Sequence, residues 1–181
     1  MMTRLFAGLA ALALLAPAAG RAEGEAPDLE TSTFGAWTMR CTRQAEVTPP
    51  CDMIQAVNNR DTGQTVMQLS FAYLAEQKQY VAQILLPLGF LITGGVLVRI
   101  DGAGDITDWP VTRCEQAGCF VEKMVPETVL KPFREKEKGV VVVLDVKGQP
   151  QVFPMDLKGF ASAMDLMAKR NQEAAPQEKT K

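Results

Sequence analysis

QTVMQLSFAY, residues 64–73, alternates side-chain character with a period of two. Met67, Leu69, Phe71 and Tyr73 fall on one face, while Gln64, Gln68 and Ser70 fall on the other. An extended chain sends successive side chains to opposite sides, so this pattern predicts a β-strand with one face buried. The next apolar stretch, Gln79 to Leu86, repeats it: Tyr80, Ala82, Ile84 and Leu86 oppose Gln79 and Gln83.

Outward from this pair the chain reads as further strands. Phe34 to Cys41 (FGAWTMRC) sets Trp37 and Met39 against Thr38 and Arg40. Val96 to Asp101 predicts a strand ended by the turn pair Asp101-Gly102, and Cys119 to Met124 a shorter one. Val140 to Val146 is nearly continuous in aliphatics, which predicts a central strand covered on both faces. Lys147-Gly148-Gln149-Pro150 then turns the chain into a last strand around Gln151 to Met155. Short strands separated by turn residues predict an all-β sandwich or barrel. Val81 to Val98 is apolar enough to suggest a membrane helix, but Gln83, Pro87, Gly89, Gly94 and Gly95 divide it into two strands and a turn.

Helix is scarce. Pro126 to Lys136 predicts one or two turns interrupted by Pro132. A C-terminal helix follows Asp156 as N-cap, with Leu157, Phe160, Ala161, Met164, Met167 and Ala168 at helical spacing; that stripe predicts a face docked on the sheet. Residues 171–181 lack apolar content and read as a disordered tail, and residues 23–33 as a flexible leader. The segment 34–170 is expected to form a single sandwich domain.

The N-terminus places the protein. Arg4 precedes fifteen apolar residues, Leu5 to Ala19, then small residues and the acidic Glu23-Gly24-Glu25. That order predicts a secretory signal, residues 1–22, cleaved near Ala22. Fifteen residues are too few to span a bilayer comfortably, so the mature chain is expected to have no integral membrane segment and to be periplasmic or secreted. Cleavage leaves 159 of 181 residues and removes Arg4 and Arg21 but no acid, taking the formal charge from −2 to −4. A chain of this size buries about 70% of its unfolded surface as one domain. The acidic balance argues against nucleic acid, which demands clustered positive charge.

Cys41, Cys51, Cys114 and Cys119 form two local pairs, each closing a short Pro- or Gly-containing segment. In an oxidising compartment this predicts the bridges Cys41–Cys51 and Cys114–Cys119. The spacing of the first pair does not suit a zinc knuckle, and neither pair is the Cys-x-x-Cys of a redox centre.

FGAWTMRC, CDMIQ, LPLGF, the pair DG, RCEQAGC and DLKGF, in this order, resemble the invasion-associated locus B family of exported Gram-negative proteins. The resemblance covers about Phe34 to Leu166. It implies an immunoglobulin-like β-sandwich and an association with host-cell invasion in some pathogens, and it carries over no catalytic residue.

Catalytic constellations are hard to assemble. The chain has no histidine, which removes Ser-His-Asp and Cys-His chemistry and imidazole metal sites. Ser32, Ser70 and Ser162 are the only serines, and none sits in a G-x-S-x-G elbow. Asp101, Asp105 and Asp108 cluster in DGAGDITD, but Thr112 stands where a calcium loop has its bidentate Glu. These acids are expected on an exposed turn without partners from elsewhere. No catalytic residue, metal site or cofactor is assigned. The reading is a non-catalytic envelope protein that binds or protects through contact with an envelope or host protein. Leu88 and Phe90, on a Pro-Gly turn, are the candidate anchors. The competing reading is a small periplasmic hydrolase using carboxylates from distant positions.

Overall fold

The computed structural model describes residues 29–44 and 46–176; the signal segment lies outside them. The first strands in chain order are β1 (Leu29–Phe34), β2 (Trp37–Thr42), β3 (Cys51–Asn58), β4 (Thr65–Leu74) and β5 (Gln79–Leu86). After a 3-10 turn at Ile92–Gly94 come β6 (Val96–Ile100), β7 (Gly104–Trp109), β8 (Val111–Glu115) and β9 (Gly118–Val125). Helix α1 (Glu127–Glu135), β10 (Lys138–Leu144), β11 (Pro150–Asp156) and helix α2 (Phe160–Ala174) complete the chain.

Two antiparallel sheets result. The larger runs β1-β2-β3-β4-β5-β9-β8 and the smaller β11-β10-β6-β7. The alternation that announced β4 is what buries it: Met67, Leu69 and Phe71 are at most 2% exposed and join the inward faces of β5, β9, β6 and β10 in one core. Phe133 of α1 and Phe160 of α2 stack edge-on or tilted against Phe71 and each other, so both helices pack toward the larger sheet. Trp37 lies 5.1 Å from Phe160, and its indole N–H donates to the Asp156 carbonyl at 2.9 Å. Val81 to Val98 consists of strands and a turn, and no helix among the described residues is long and apolar enough to cross a membrane.

Several expectations need correction. Phe34 to Cys41 is not one strand: Gly35, at φ +58°, turns the chain between β1 and β2. Residues 29–33, read as leader, pair with β2, because the Thr/Ser alternation of LETSTF suits an edge strand. Asp156 does not cap α2. It ends β11, and Gly159 in the left-handed region opens the helix. Nor does a tail begin at residue 171: α2 continues to Ala174, and Asn171 is buried. Finally, β10 is central but not covered on both faces, because Val140, Val142 and Leu144 point away from the core and remain partly exposed.

Candidate functional site

Both cysteine pairs are disulfides, and each joins residues directly opposite one another in a hairpin, Cys41 with Cys51 and Cys114 with Cys119. The second positions a groove. Its hairpin turn, Gln116-Ala117, stands beside the exit of β5, where a groove of about 490 Å³ is lined by Val66, Leu85, Pro87, Leu88 and these two residues, among others. Gly118 makes the approach possible: a Cβ there would stand 2.3 Å from the Leu86 carbonyl oxygen. Outside the groove, Arg113 lies 4.0 Å over the Phe120 ring and pairs with Glu115 and Glu122, which holds the hairpin's outer side.

The two anchors part company. Leu88 is 57% exposed at the groove's lip, but Phe90 is 9% exposed and belongs to the core. Gly89, at φ +99°, reverses the chain between them, and Phe90 then bridges to Asp145 while the Leu91 N–H donates to the Leu144 carbonyl. Through these contacts the 87–95 loop meets the turn after β10. Each of these turns carries a further exposed aliphatic, Ile92 at 53% and Val146 at 69%. Sequence reading missed both, since a lone aliphatic in a turn carries no periodic signal.

The acids of DGAGDITD do not converge on this groove. Asp105 takes a bidentate pair from Arg99 at 2.5 and 2.7 Å, and Asp108 pairs with Lys123 at 2.6 Å, so the expectation of acids without partners is wrong for both. The β6–β7 register brings the first pair together, Arg99 directly opposite Asp105, while Lys123 reaches Asp108 from β9 of the other sheet. All three acids are exposed. A second groove, about 430 Å³, lies between the Cys41–Cys51 loop and the ends of β4 and α2, with Glu76 as the one carboxylate lining it among the described residues. Among the described residues no cluster of metal-ligating side chains forms.

The model of the family described as invasion associated locus B protein matches residues 37–168. The chain belongs to that family. An invasion protein B homolog of Brucella abortus strain 2308 is 26% identical over 156 residues, 86% of this chain and 88% of that protein. Its counterpart from biovar 1 strain 9-941 matches equally. The crystal structure of invasion associated protein b from Bartonella henselae superposes with a TM-score of 0.67 at 22% identity, covering 77% of this chain and 96% of that one. The likeness extends the sandwich to that family member. Its members are named for invasion, and no enzyme activity enters those names.

The charged pairs carry a pH signature. Hydrogen bonds from Arg170 and Arg99 hold the Glu30 and Asp105 carboxyls below their usual range. At Glu122 burial pushes upward, but Arg113 and Gln83 outweigh it and the carboxyl is also held low. Carboxyls depressed in the fold stabilise it above their unfolded values, and that contribution disappears as pH falls through the folded ones. With no histidine, stability is expected to be flat from about pH 6 to 8 and to decline below about pH 4.5. Urea midpoints across that range check it; a change of midpoint near pH 6.5 would contradict it.

Proposed function

We propose that the protein is exported and acts in the cell envelope without catalysis, through contact with another protein. The observation that carries this reading is the lining of the groove beside Leu88: among the described residues it includes no acid, amine or thiol, so the Thr65 hydroxyl has no base beside it to activate it. What it offers is an apolar wall, an exposed leucine, and two more exposed aliphatics on adjoining turns. Interfaces draw most of their affinity from a few side chains buried on contact. The N-terminal signal pattern supports export. The relatives' names tie those proteins to invasion, and contact with a host protein is one form such a role takes; contact within the envelope is the other.

The test is cross-linking in the native envelope, comparing wild type with a Leu88→Asp/Ile92→Asp variant. Burying one aliphatic is worth about 1.5–3 kcal/mol, so at least a tenfold loss of cross-linked complex is expected with folding intact. Unchanged cross-links would remove the groove from consideration. Turnover of an envelope substrate that disappears in a folded Asp105→Asn variant would instead establish the carboxylate hydrolase.

A further inference from the structure

The two disulfides share one arrangement, a bond between residues directly opposite in a hairpin, but not one setting. Cys41 and Cys51 are 6% and 3% exposed, on strands that each have a neighbour on both sides. Asn171 also holds the Cys51 backbone at both its N–H and its carbonyl. Cys119 is likewise buried, at 3%. Cys114 is exposed, because β8 is the last strand of the larger sheet and no described strand pairs with its outer edge. Thiol–disulfide exchange begins with a thiolate reaching one sulfur of the bond, so its rate follows access. Of the two bridges, only this one has a cysteine at the surface.

The hairpin leans on that bond. Val111 is half-buried, but Thr112 to Glu115 are exposed, and the register to β9 shifts between Val111 and Arg113. Beyond Arg113 the strand keeps two facing pairs, Cys114 with Cys119 and Glu115 with Gly118. The ion pairs of Arg113 with Glu115 and Glu122 are solvent-exposed, and such pairs contribute little. The turn itself is weakly encoded: its central residues are Gln116 and Ala117, not the asparagine or glycine that two-residue hairpin turns prefer. These same two residues line the groove beside Leu88. The β9 side is different. It pairs with β5 from Cys119 to Val125, and Gly118 is packed against the Leu86 carbonyl. Loosening of the hairpin therefore stops at Gly118.

We infer that the Cys114–Cys119 bond is a redox latch on the wall of this groove, opened by a dithiol reductant while Cys41–Cys51 stays closed. A thiolate of the reductant bonds to the Cys114 sulfur and the disulfide bond breaks. The Cys119 sulfur leaves with the bonding pair and takes a proton. The reductant's second thiolate then attacks the mixed disulfide and releases Cys114 as a thiol. Two electrons and two protons pass from the dithiol, which ends as a disulfide, to the bridge, which ends as two thiols. Residues 114–117 are then tied only by strand pairing at a sheet edge, and the wall formed by Gln116 and Ala117 comes away from Leu88. The effect on contact rests on the reading of this groove as the contact surface; the selective reduction and the opening do not.

Dithiothreitol treatment of the mature chain, followed by alkylation and peptide mapping, reads the first step. Cys114 and Cys119 are expected to become labelled about tenfold faster than Cys41 and Cys51. With that bridge reduced, amide hydrogen exchange is expected to rise about tenfold at residues 114–117 and to stay unchanged across β5 and residues 119–125. Equal reduction of the two bridges, earlier reduction of Cys41–Cys51, or unchanged exchange at 114–117 overturns the inference. Cross-linking in the native envelope then compares Cys114→Ser/Cys119→Ser with Leu88→Asp. Loss of the complex in both is the expected result. Loss in Leu88→Asp alone overturns the latch, because the groove then works without the bridge. No loss in Leu88→Asp removes the contact reading, and the latch is decided by labelling and exchange. Selectively reduced wild type replaces the double variant if that variant fails to fold.

Discussion

Gly159→Ala is expected to cost about 2–6 kcal/mol, combining roughly 1–3 for a left-handed backbone on a non-glycine residue with roughly 1–3 for overpacking. Gly159 sits at φ +86°, and a Cβ there would stand 2.1 Å from the Phe34 carbonyl oxygen and 3.0 Å from the Gly35 nitrogen. The obstacle is backbone, which has no rotamer to yield. Gly35 mirrors it, since its Cβ would stand 2.3 Å from the Lys158 carbonyl oxygen, the acceptor of the Ala36 N–H. FGAW and DLKGF, more than a hundred residues apart, are thus two halves of one backbone contact, with Trp37 and Phe160 packed beside it. Gly63→Ala makes the comparison quantitative. Its φ is +69° but nothing lies within 4 Å, so only the backbone strain of roughly 1–3 kcal/mol should appear, without the overpacking. Equal urea midpoints for the two variants would show that the close approach contributes nothing.

The same contact explains what could be read in advance. Strands β4 and β5 were legible because their inward positions are all apolar, and the disulfides because each pair of cysteines is local. Strand β3 was missed. Its inward positions run Cys51, Met53, Gln55 and Val57, and Gln55 breaks the pattern although it is only 4% exposed. It is buried because its amide meets the backbone of Asp156 with both a donor and an acceptor, a partner a hundred residues away. Strands β7 and β8 show little inward burial, so period two had little to act on. The site fared similarly. LPLGF marked the right loop, but which of Leu88 and Phe90 faces water depends on Gly89 and on pairing with Asp145, neither visible in hydropathy. Arg99–Asp105 needed the β6–β7 register. In each case the missing information is a long-range partner, not a local preference.

Asn171→Leu is expected to destabilise the protein by about 2–4 kcal/mol, which lowers Tm by about 6–12 °C at 3 kcal/mol for a domain of this size. Asn171 is 2% exposed and fully engaged. Its side-chain oxygen accepts from the Cys51 N–H at 2.9 Å, and its amide donates to the Cys51 and Tyr73 carbonyls at 2.9 and 3.1 Å. One side chain on α2 thereby satisfies groups on β3 and β4 beside the first disulfide. Leucine would leave all three without their side-chain partner, at the floor of the groove that Asn171 lines. The conservative variant separates hydrogen bonding from volume: Asn171→Asp keeps the acceptor and replaces the donor facing two carbonyls with an oxygen. A carboxyl in that position favours its protonated form, so its folded pKa lies above the unfolded value. The stability it retains is then fully present below the unfolded pKa and is lost as pH rises through the folded one. Denaturant midpoints for Asn171→Asp should therefore approach wild type near pH 4 and separate from it toward pH 7, while the deficit of Asn171→Leu stays constant. A pH-independent Asn171→Asp deficit, or an Asn171→Leu variant as stable as wild type, would mean that the Asn171 hydrogen bonds do not hold α2.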